Sequence, residues 1–584
     1  MFHANRPRTM QIGVGLLLLL APILAQAATL TVSVDGVIDK LLENVQASLT
    51  IYQERERKDL TDARIRQLHA LAPEEIRTAL KPFGYYRPRI DDQLDFDRDN
   101  DRWTAHYSID TGPPLPVRNV DFHLTGEGEN DPAFRALIDD FPIKPGDTLN
   151  QATYEETKKR IQSLASERGY FDLRFTRHEI RLDLAAYHAD IELRVDTGVR
   201  YHFGKITIEQ SVLTPELAQR YLRIETGDAY STRALLDAQN ALATSNYFSD
   251  VQVDADPKQA TDHVIPVNVR LKARPPNRYT LGAGYGTDTG PRGKVGWERY
   301  YLNRQGHHTR VELRGSQIDR SLTAGYFIPI RNPRNDQLAF TGGFEETDTR
   351  TATTKTRRLA ISRTNVRGHL LETLSLTHQR ERFALGDQTG TTSLLLPGVS
   401  WTYYWGDERV YTRFGARANL DIRGASDKFA SDTSLTQERF QIKAIWPVAS
   451  FGRLITRADI GRTGIEDFNQ LPASLRFFAG GDTSVRGYAY NTLGPVDDQG
   501  NVIGGRNLLV GSVEYEQHIS GNWSAAVFFD EGNAVIDFND PLKKGTGIGV
   551  RYRTPIGQIR VDVAAALSEP GHPRRLHVSI GPDL

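Results

Sequence analysis

Arg476-Phe477-Phe478-Ala479-Gly480-Gly481-Asp482-Thr483-Ser484-Val485-Arg486-Gly487-Tyr488, with Phe528-Phe529-Asp530-Glu531-Gly532 following it, is the part of this sequence that decides the fold. Strand parity places Trp523, Ala525, Val527 and Phe529 on one face, so Phe528, Asp530 and Gly532 point the other way. An aspartate on a strand that faces a narrow, partly dry interior needs a cation. Arg486, flanked by a glycine and carried on a loop, can supply a bidentate one. The pair is what a large β-barrel uses to tether a loop inside its own lumen. On spacing alone, Val485-Arg486-Gly487-Tyr488 suits an exposed turn equally well.

Outward from that stretch, strict alternation runs from residue 275 to 584. Val311, Leu313 and Gly315 alternate with Arg310, Glu312 and Arg314, and Leu509, Gly511, Val513 and Tyr515 with Val510, Ser512, Glu514 and Glu516. Ile548, Val550 and Tyr552 alternate with Gly549, Arg551 and Arg553, while Ile559, Val561 and Val563 lie opposite Arg560 and Asp562. One face is apolar and the other ionic, as in an outer-membrane barrel with lipid outside and water inside; at roughly 19 residues per strand and connection, the length fits about 16 antiparallel strands. A soluble two-sheet sandwich also alternates, but its solvent face does not call for so many Arg and Glu.

The N-terminus points to export. Arg6 and Arg8 precede an apolar run from Ile12 to Leu24, and Ala25-Gln26-Ala27 offers small residues at a cleavage position, which predicts a secretory signal peptide over residues 1–27. No later stretch approaches the ~20 apolar residues of a membrane helix. An exported chain of this kind crosses a bilayer, if at all, as a closed barrel. Zero cysteines exclude disulfide staples and thiolate metal sites. A net charge of -1, with both signs evenly mixed, argues against nucleic acid as a partner.

Between the signal and the barrel one unit recurs three times. Phe83-Gly84-Tyr85-Tyr86, Arg168-Gly169-Tyr170-Phe171 and Ser245-Asn246-Tyr247-Phe248 each follow a helical pattern and precede alternating strands. Tyr154, Ile161 and Leu164 in the second copy, and Leu235, Leu236 and Leu242 in the third, have helical spacing. These helices are expected to end at the Gly or Asn, which adopt positive φ. Each copy reads as strand, helices and two strands, a small α+β domain. The expected boundaries are 28–113, 114–199 and 200–274, with Pro275-Pro276 as a stiff border to a barrel over 275–584.

Three such domains ahead of a barrel, with Val-Arg-Gly-Tyr in a late loop and Phe-x-Asp-x-Gly on a later strand, resemble the outer-membrane assembly superfamily of polypeptide-transport-associated (POTRA) domains plus barrel. Within it, the loop motif, the Gly-Tyr-Tyr and Gly-Tyr-Phe signals and the terminal Gly581-Pro582-Asp583-Leu584 resemble the TamA family of translocation and assembly module subunits. The resemblance implies a Gram-negative outer-membrane protein with a periplasmic arm. It implies a factor that inserts or translocates outer-membrane or autotransporter-type clients in the lipid bilayer, with a TamB-like partner anchored in the inner membrane. It also implies that Arg486, with Val485, Gly487 and Tyr488, meets Asp530, with Phe528 and Gly532, inside the barrel.

A weak seam between first and last strands is implied as well. Gly282, Gly284 and Gly286 share one face of the first strand, between Leu281, Ala283 and Tyr285, and glycine strands are poorly held. The last strand, with Leu576, Val578 and Ile580 on one face, runs into Gly581-Pro582, and Pro cannot extend the ladder. The glycines serve equally well to make room for the tethered loop. The terminal Asp583-Leu584 departs from the aromatic end of many barrel clients.

Catalytic chemistry finds no foothold. Gly282-x-Gly284-x-Gly286 and Gly545-x-Gly547-x-Gly549 lack the helix of a nucleotide loop; His178-Glu179 meets Leu182 where a zinc protease has its second His; no Gly-x-Ser-x-Gly occurs. His307-His308 lacks a carboxylate or thiolate at metal spacing and reads as loop. No catalytic set, metal site or cofactor is expected. The rival functions are a two-partner-type secretion pore, which in that superfamily tends to carry two arm domains and a plug helix for which Leu30 to Val34 leaves no room, and a passive porin, which needs no arm.

Overall fold

The structure, a computed structural model, describes residues 29–407, 411–449, 451–555 and 557–581. The signal peptide expected over residues 1–27 and the terminal Pro582-Asp583-Leu584 lie outside the described residues. The described residues form three three-stranded sheets followed by one sheet of 16 antiparallel strands. By its contacts it divides into two compact units, one reaching to His202 and including Ala229–Thr232, the other holding Phe203–Asp228 and the chain from Arg233 onward.

In the first unit, Thr29–Asp35 runs parallel to Arg102–Asp110, which is flanked on its other side by the antiparallel Arg89–Asp97. The helix Asp62–Leu80 is capped by Thr61, whose hydroxyl accepts the Arg64 N–H, and buries Ile65, Leu68, Ala72 and Ile76 against Trp103, Ala105 and Tyr107. The second domain repeats the plan with Val117–Thr125 parallel to His188–Asp196 and Arg174–Asp183 antiparallel to it. Its long helix Gln151–Arg168 ends at Gly169, at φ 84°. Gly84 likewise has φ 85°, and a Cβ there would lie 2.5 Å from the Leu149 carbonyl oxygen. The aromatic signals are joints. Tyr85 packs on the first domain's core and Tyr86 on the second's. Tyr170 sits in the second core, while the edge of Phe171 meets Tyr201.

Asp131 shows how the second domain is pinned. It caps the helix Pro132–Asp139 by accepting the Ala133 N–H at 3.0 Å and accepts from Arg168 Nε at 2.7 Å and Tyr170 Oη at 3.2 Å. Burial alone would push its carboxyl up, but these donors and the Arg168 charge outweigh burial and hold it below the usual range. A carboxyl depressed in the folded state contributes stability that is complete above the unfolded pKa and lost as pH falls through the folded one, here below roughly pH 4. Asp131→Ala is expected to cost about 1 kcal/mol for the cap and ~1.5–3 kcal/mol for the charged hydrogen bond. It should also flatten the acid limb of a urea-denaturation series on the isolated arm; an unchanged limb would refute the assignment.

In the third domain the sheet order is His202–Glu209, Val264–Ala273, Phe248–Asp254. On the helix Thr232–Thr244, Leu235, Ala238 and Leu242 are buried. The sequence pattern put Leu236 with them, but it is 54% exposed, because a 3.6-residue period turns it about 100° from Leu235. This domain is seated on the barrel's turns. Arg334 donates to the carbonyls of Tyr221 at 2.8 Å and Leu222 at 2.9 Å, capping the helix Pro215–Leu222, and Tyr247 Oη donates to the Gly306 carbonyl at 2.6 Å.

The barrel runs from Asn277–Gly286 to Arg574–Gly581. Leu281, Val295, Leu313, Leu359, Val513, Val527 and Ile548 are exposed on its outer face, whereas Ser512, Glu514, Glu516, Asp530, Arg551 and Asp562 are buried within. An apolar exterior around an ionic interior is the lipid-facing arrangement. No described helix is long and apolar enough to cross a membrane. His308, read as loop, opens the strand His308–Gly315, its ring stacked on Phe327 at 4.8 Å.

Candidate functional site: a loop clamped inside the barrel

The site is built on the inner faces of five adjacent strands, Asn507–Ser520, Trp523–Val535, Lys543–Thr554, Gly557–Ala566 and Arg574–Gly581. Their register lines up rows of side chains. Ser512, Asp530, Gly545 and Ala566 form one row; Glu514, Phe528, Gly547 and Ala564 the next; Glu516, Ala526, Gly549, Asp562 and His577 a third. The glycines open a trough between the acidic strands.

The chain between Gly452–Ile465 and Asn507–Ser520 turns back and fills that trough. Its base is pinned by Arg476, which donates to the carbonyls of Leu471 at 2.9 Å and Ile503 at 3.1 Å and to Gln388 Oε1 at 2.9 Å. Glu381 accepts the Ser474 N–H at 2.9 Å. Leu471 and Leu475 pack on Leu394, Leu396 and Leu435, which project from tall strands. Nearer the tip, Val485 and Tyr488 join Phe477, Leu493, Val510 and Ala534 in an apolar cluster. Beyond these contacts the loop tip carries Arg486 to the acidic rows.

All five side-chain N–H groups of Arg486 find acceptors. Nε and Nη2 grip Asp530 at 2.8 and 2.9 Å; Nη1 meets Glu514 Oε2 at 2.6 Å and Asp562 Oδ2 at 3.3 Å; Nη2 also reaches Ser512 Oγ at 3.4 Å. The backbone N–H of Arg486 donates to Asp530 Oδ2 at 3.0 Å, and Ser512 Oγ donates to Oδ1 at 2.6 Å. Phe528 lies beneath the guanidinium, 3.3 Å from its carbon to the ring centroid. Arg551 bridges Glu514 at 2.7 Å and Asp562 at 2.5 Å. Arg486 and Asp530 are 5% and 0% exposed, so this is a fully desolvated, fully paired network.

The residues singled out in the sequence divide by what the fold does with them. Val485, Arg486, Gly487, Tyr488, Phe528 and Asp530 come together. Gly487, at φ 100°, lies flush on the last strands; a Cβ there would be 2.9 Å from Ala565 C and Ala566 N. The atoms nearest a Cβ on Gly532 belong to the neighbouring strand rather than the loop, with Val510 Cα at 2.7 Å. Unmarked in the sequence were Glu514, Asp562, Arg551 and Ser512, which alternation had put on the inner face without distinguishing them. Gly545, Gly547 and Gly549 are strand residues, as read, but they also form the trough; a Cβ on Gly545 would be 2.0 Å from the Arg486 carbonyl oxygen.

At the seam, the first strand's ladder is to its neighbour Gly290–Arg299. Among the described residues it forms no ladder with the last strand. The last strand is joined to the turn after the first by Thr287 N–H to the Val578 carbonyl at 3.2 Å and Val578 N–H to Thr287 Oγ1 at 3.1 Å, and to the second strand by Arg292 Nη2 to the Ile580 carbonyl at 3.2 Å. The nearest atoms to a Cβ on Gly282, Gly284 and Gly286 belong to Lys294, Arg292 and Thr289, so the tethered loop is not what fills that face. Leu281 and Leu576 point outward, 82% and 53% exposed. Asp288, Asp482 and His577 bring potential ligand atoms within 4.8 Å of one another, though both ring nitrogens of His577 already have hydrogen-bond partners.

Against known proteins, residues 152–583 match the family described as the Omp85 superfamily domain, and residues 31–111 match the first POTRA domain of TamA. The chain is similar to the outer membrane protein assembly factor BamA of Neorickettsia risticii, 22% identical over 474 residues that cover 73% of this chain and 60% of that protein. It is 23% identical to BamA of Nitratidesulfovibrio vulgaris over 418 residues, 67% of this chain and 52% of that one. It thus spans between half and two thirds of the length of these relatives. The crystal structure of Haemophilus ducreyi BamA lacking POTRA domains 1–3 shares the fold, with TM-score 0.66 at 17% identity, covering 80% of this chain and 99% of that one.

Proposed function

The chain belongs to the Omp85 superfamily, and on that footing we propose that it is an outer-membrane assembly factor, inserting or translocating client outer-membrane or autotransporter-type proteins through the seam between its first and last barrel strands. The observation that carries this reading is the seam itself: a first strand with a full ladder on one side and a handful of bonds on the other. An edge of that kind presents unpaired N–H and C=O groups on which a guest strand can pair. The tethered loop supplies the rigidity that a barrel with an incomplete ladder lacks.

The arm then faces the periplasm and receives clients by strand addition to its sheet edges, and a TamB-like protein anchored in the inner membrane is its partner. The match of residues 31–111 to a TamA-type domain supports that assignment over a BamA-type one. The protein works without catalysing a covalent reaction and without a cofactor.

A lock tests the seam. Antiparallel continuation from Thr287 and Val578 sets Tyr285 opposite Ile580, and the chain has no native cysteine to interfere. Leu281 is four residues further from the crossing and does not face Val578. With Tyr285→Cys and Ile580→Cys oxidised to a disulfide, assembly of a test client in proteoliposomes is expected to stop and to recover on reduction. Undiminished assembly by the fully locked barrel would overturn the seam route, and large, steady conductance steps from the wild type would favour a porin.

A further inference from the structure

The bonds that run directly between the seam's edges are accompanied by a second set that passes through the loop. Asp482 lies four residues before Arg486. Its carboxylate accepts the hydroxyl of Thr287, at 3.1 and 3.3 Å, from the turn after the first strand. Its backbone N–H donates to Asp288 Oδ2 at 2.6 Å in the same turn. On the other side, Asp482 Oδ1 is 2.5 Å from Nδ1 of His577 on the last strand.

His577 completes the circuit. The Gly487 backbone N–H points at its Nε2 at 3.0 Å. A backbone amide can only donate, so Nε2 is the bare nitrogen and Nδ1 carries the proton given to Asp482. The ring is 2% exposed. Gly481 allows the approach: it has φ 108°, and a Cβ there would lie 2.5 Å from Asp288 Oδ2. Thr287 uses its one hydroxyl proton on Asp482 while its oxygen accepts from Val578, so a single side chain serves both the direct and the indirect link.

We infer that Asp482 and His577 are positioning residues that form a clasp, by which the docked loop holds the first and last strands together. Closure of the seam is conditional on the loop being seated, because the two strand edges share few bonds of their own while both are bonded to the same loop carboxylate. Opening proceeds by release of Asp482 from one edge rather than by rupture of a ladder. The functional meaning of the clasp rests on the seam route proposed above; its existence does not.

The experiment therefore reads the seam without a client. In the full chain refolded into vesicles, the Tyr285→Cys, Ile580→Cys pair is oxidised under a limiting catalyst, and the rate of disulfide formation is followed beside spin-label distances at the same two sites. Asp482→Ala and His577→Phe are each expected to slow cross-linking tenfold or more and to broaden the distance distribution, while the unboiled protein keeps its compact electrophoretic mobility. Should either variant fail to fold, Thr287→Val removes only the hydroxyl from the turn and is expected to act in the same direction. Unchanged cross-linking in folded Asp482→Ala or Thr287→Val barrels would overturn the clasp. A clasp that fails this test leaves the client-assembly result of the locked barrel untouched, and the reverse holds as well.

Discussion

Arg486→Ala should produce the largest single loss of stability in this barrel, about 3–5 kcal/mol, the usual cost of removing one partner from a buried ion network. The substitution strands Asp530, Glu514 and Asp562 inside the lumen with Arg551 as the remaining direct bridge between two of them. It also leaves Phe528 without the guanidinium stacked on it. Asp530→Ala should cost less, because Arg486 keeps Glu514 and Asp562. Arg486→Lys should fall between wild type and alanine: an ammonium can serve one carboxylate, but it cannot grip Asp530 with two parallel N–H groups and reach Glu514 at the same time. The double variant Arg486→Ala, Asp530→Ala should be less damaged than the sum of the singles, since the two residues act as a unit. Urea unfolding in detergent, followed by the loss of compact mobility, measures all four. A midpoint for Arg486→Ala equal to that of wild type would show that the loop is held by its apolar contacts alone.

Much of this architecture was legible because its period is written into the residues. Two-residue alternation marked the barrel strands, and the change at Ala273-Arg274-Pro275-Pro276 falls where the strand Val264–Ala273 gives way to Asn277–Gly286. The aromatic turns marked three helix ends because a positive φ favours Gly or Asn: Gly84, Gly169 and Asn246 all have it. Leu236 turns out of the core because the buried stripe of its helix runs through Leu235, Ala238 and Leu242, and apolar character alone does not say which of two adjacent leucines lies on that stripe. In the site, Arg486 and Asp530 could be paired from residue type and parity. Their further partners could not, since Glu514, Asp562 and Arg551 come from three strands whose mutual register is a property of the assembled sheet. His577 and Asp482 were hidden for the same reason: 95 residues separate them, and they meet only because the loop turns back into the lumen. A first-strand glycine face, open between two readings in the sequence, is occupied by Arg292 and Lys294 of the next strand, which no periodicity could reveal.

Gly545→Ala should rival the loss of Arg486 while changing no charge. A Cβ at this position would stand 2.0 Å from the carbonyl oxygen of Arg486 and 3.4 Å from Val485 Cγ1. The carbonyl would have to withdraw by on the order of 1.5 Å to reach an ordinary van der Waals separation. It cannot do so alone, because the same residue's backbone N–H is bonded to Asp530 and its guanidinium is committed to three carboxylates. The added methyl therefore lifts the tip from the trough, and the cluster loses its hydrogen-bond geometry at a cost approaching the ~3 kcal/mol of a broken buried pair. Gly511→Ala is the matched control. It makes the same chemical change on the outer face of Asn507–Ser520, two strands away in the sheet, where a Cβ would find only the Glu531 carbonyl oxygen at 3.9 Å. Its effect should stay within about 0.5 kcal/mol of zero, as for surface substitutions away from special features. Because Gly545→Ala and Arg486→Ala both act by undocking the tip, combining them should add little to either. Equal unfolding midpoints for Gly545→Ala and Gly511→Ala would mean that the trough is not what seats the loop. The double-variant comparison then separates a tip that docks by shape from one that docks by charge: additivity would assign the two substitutions to independent supports, and saturation to one.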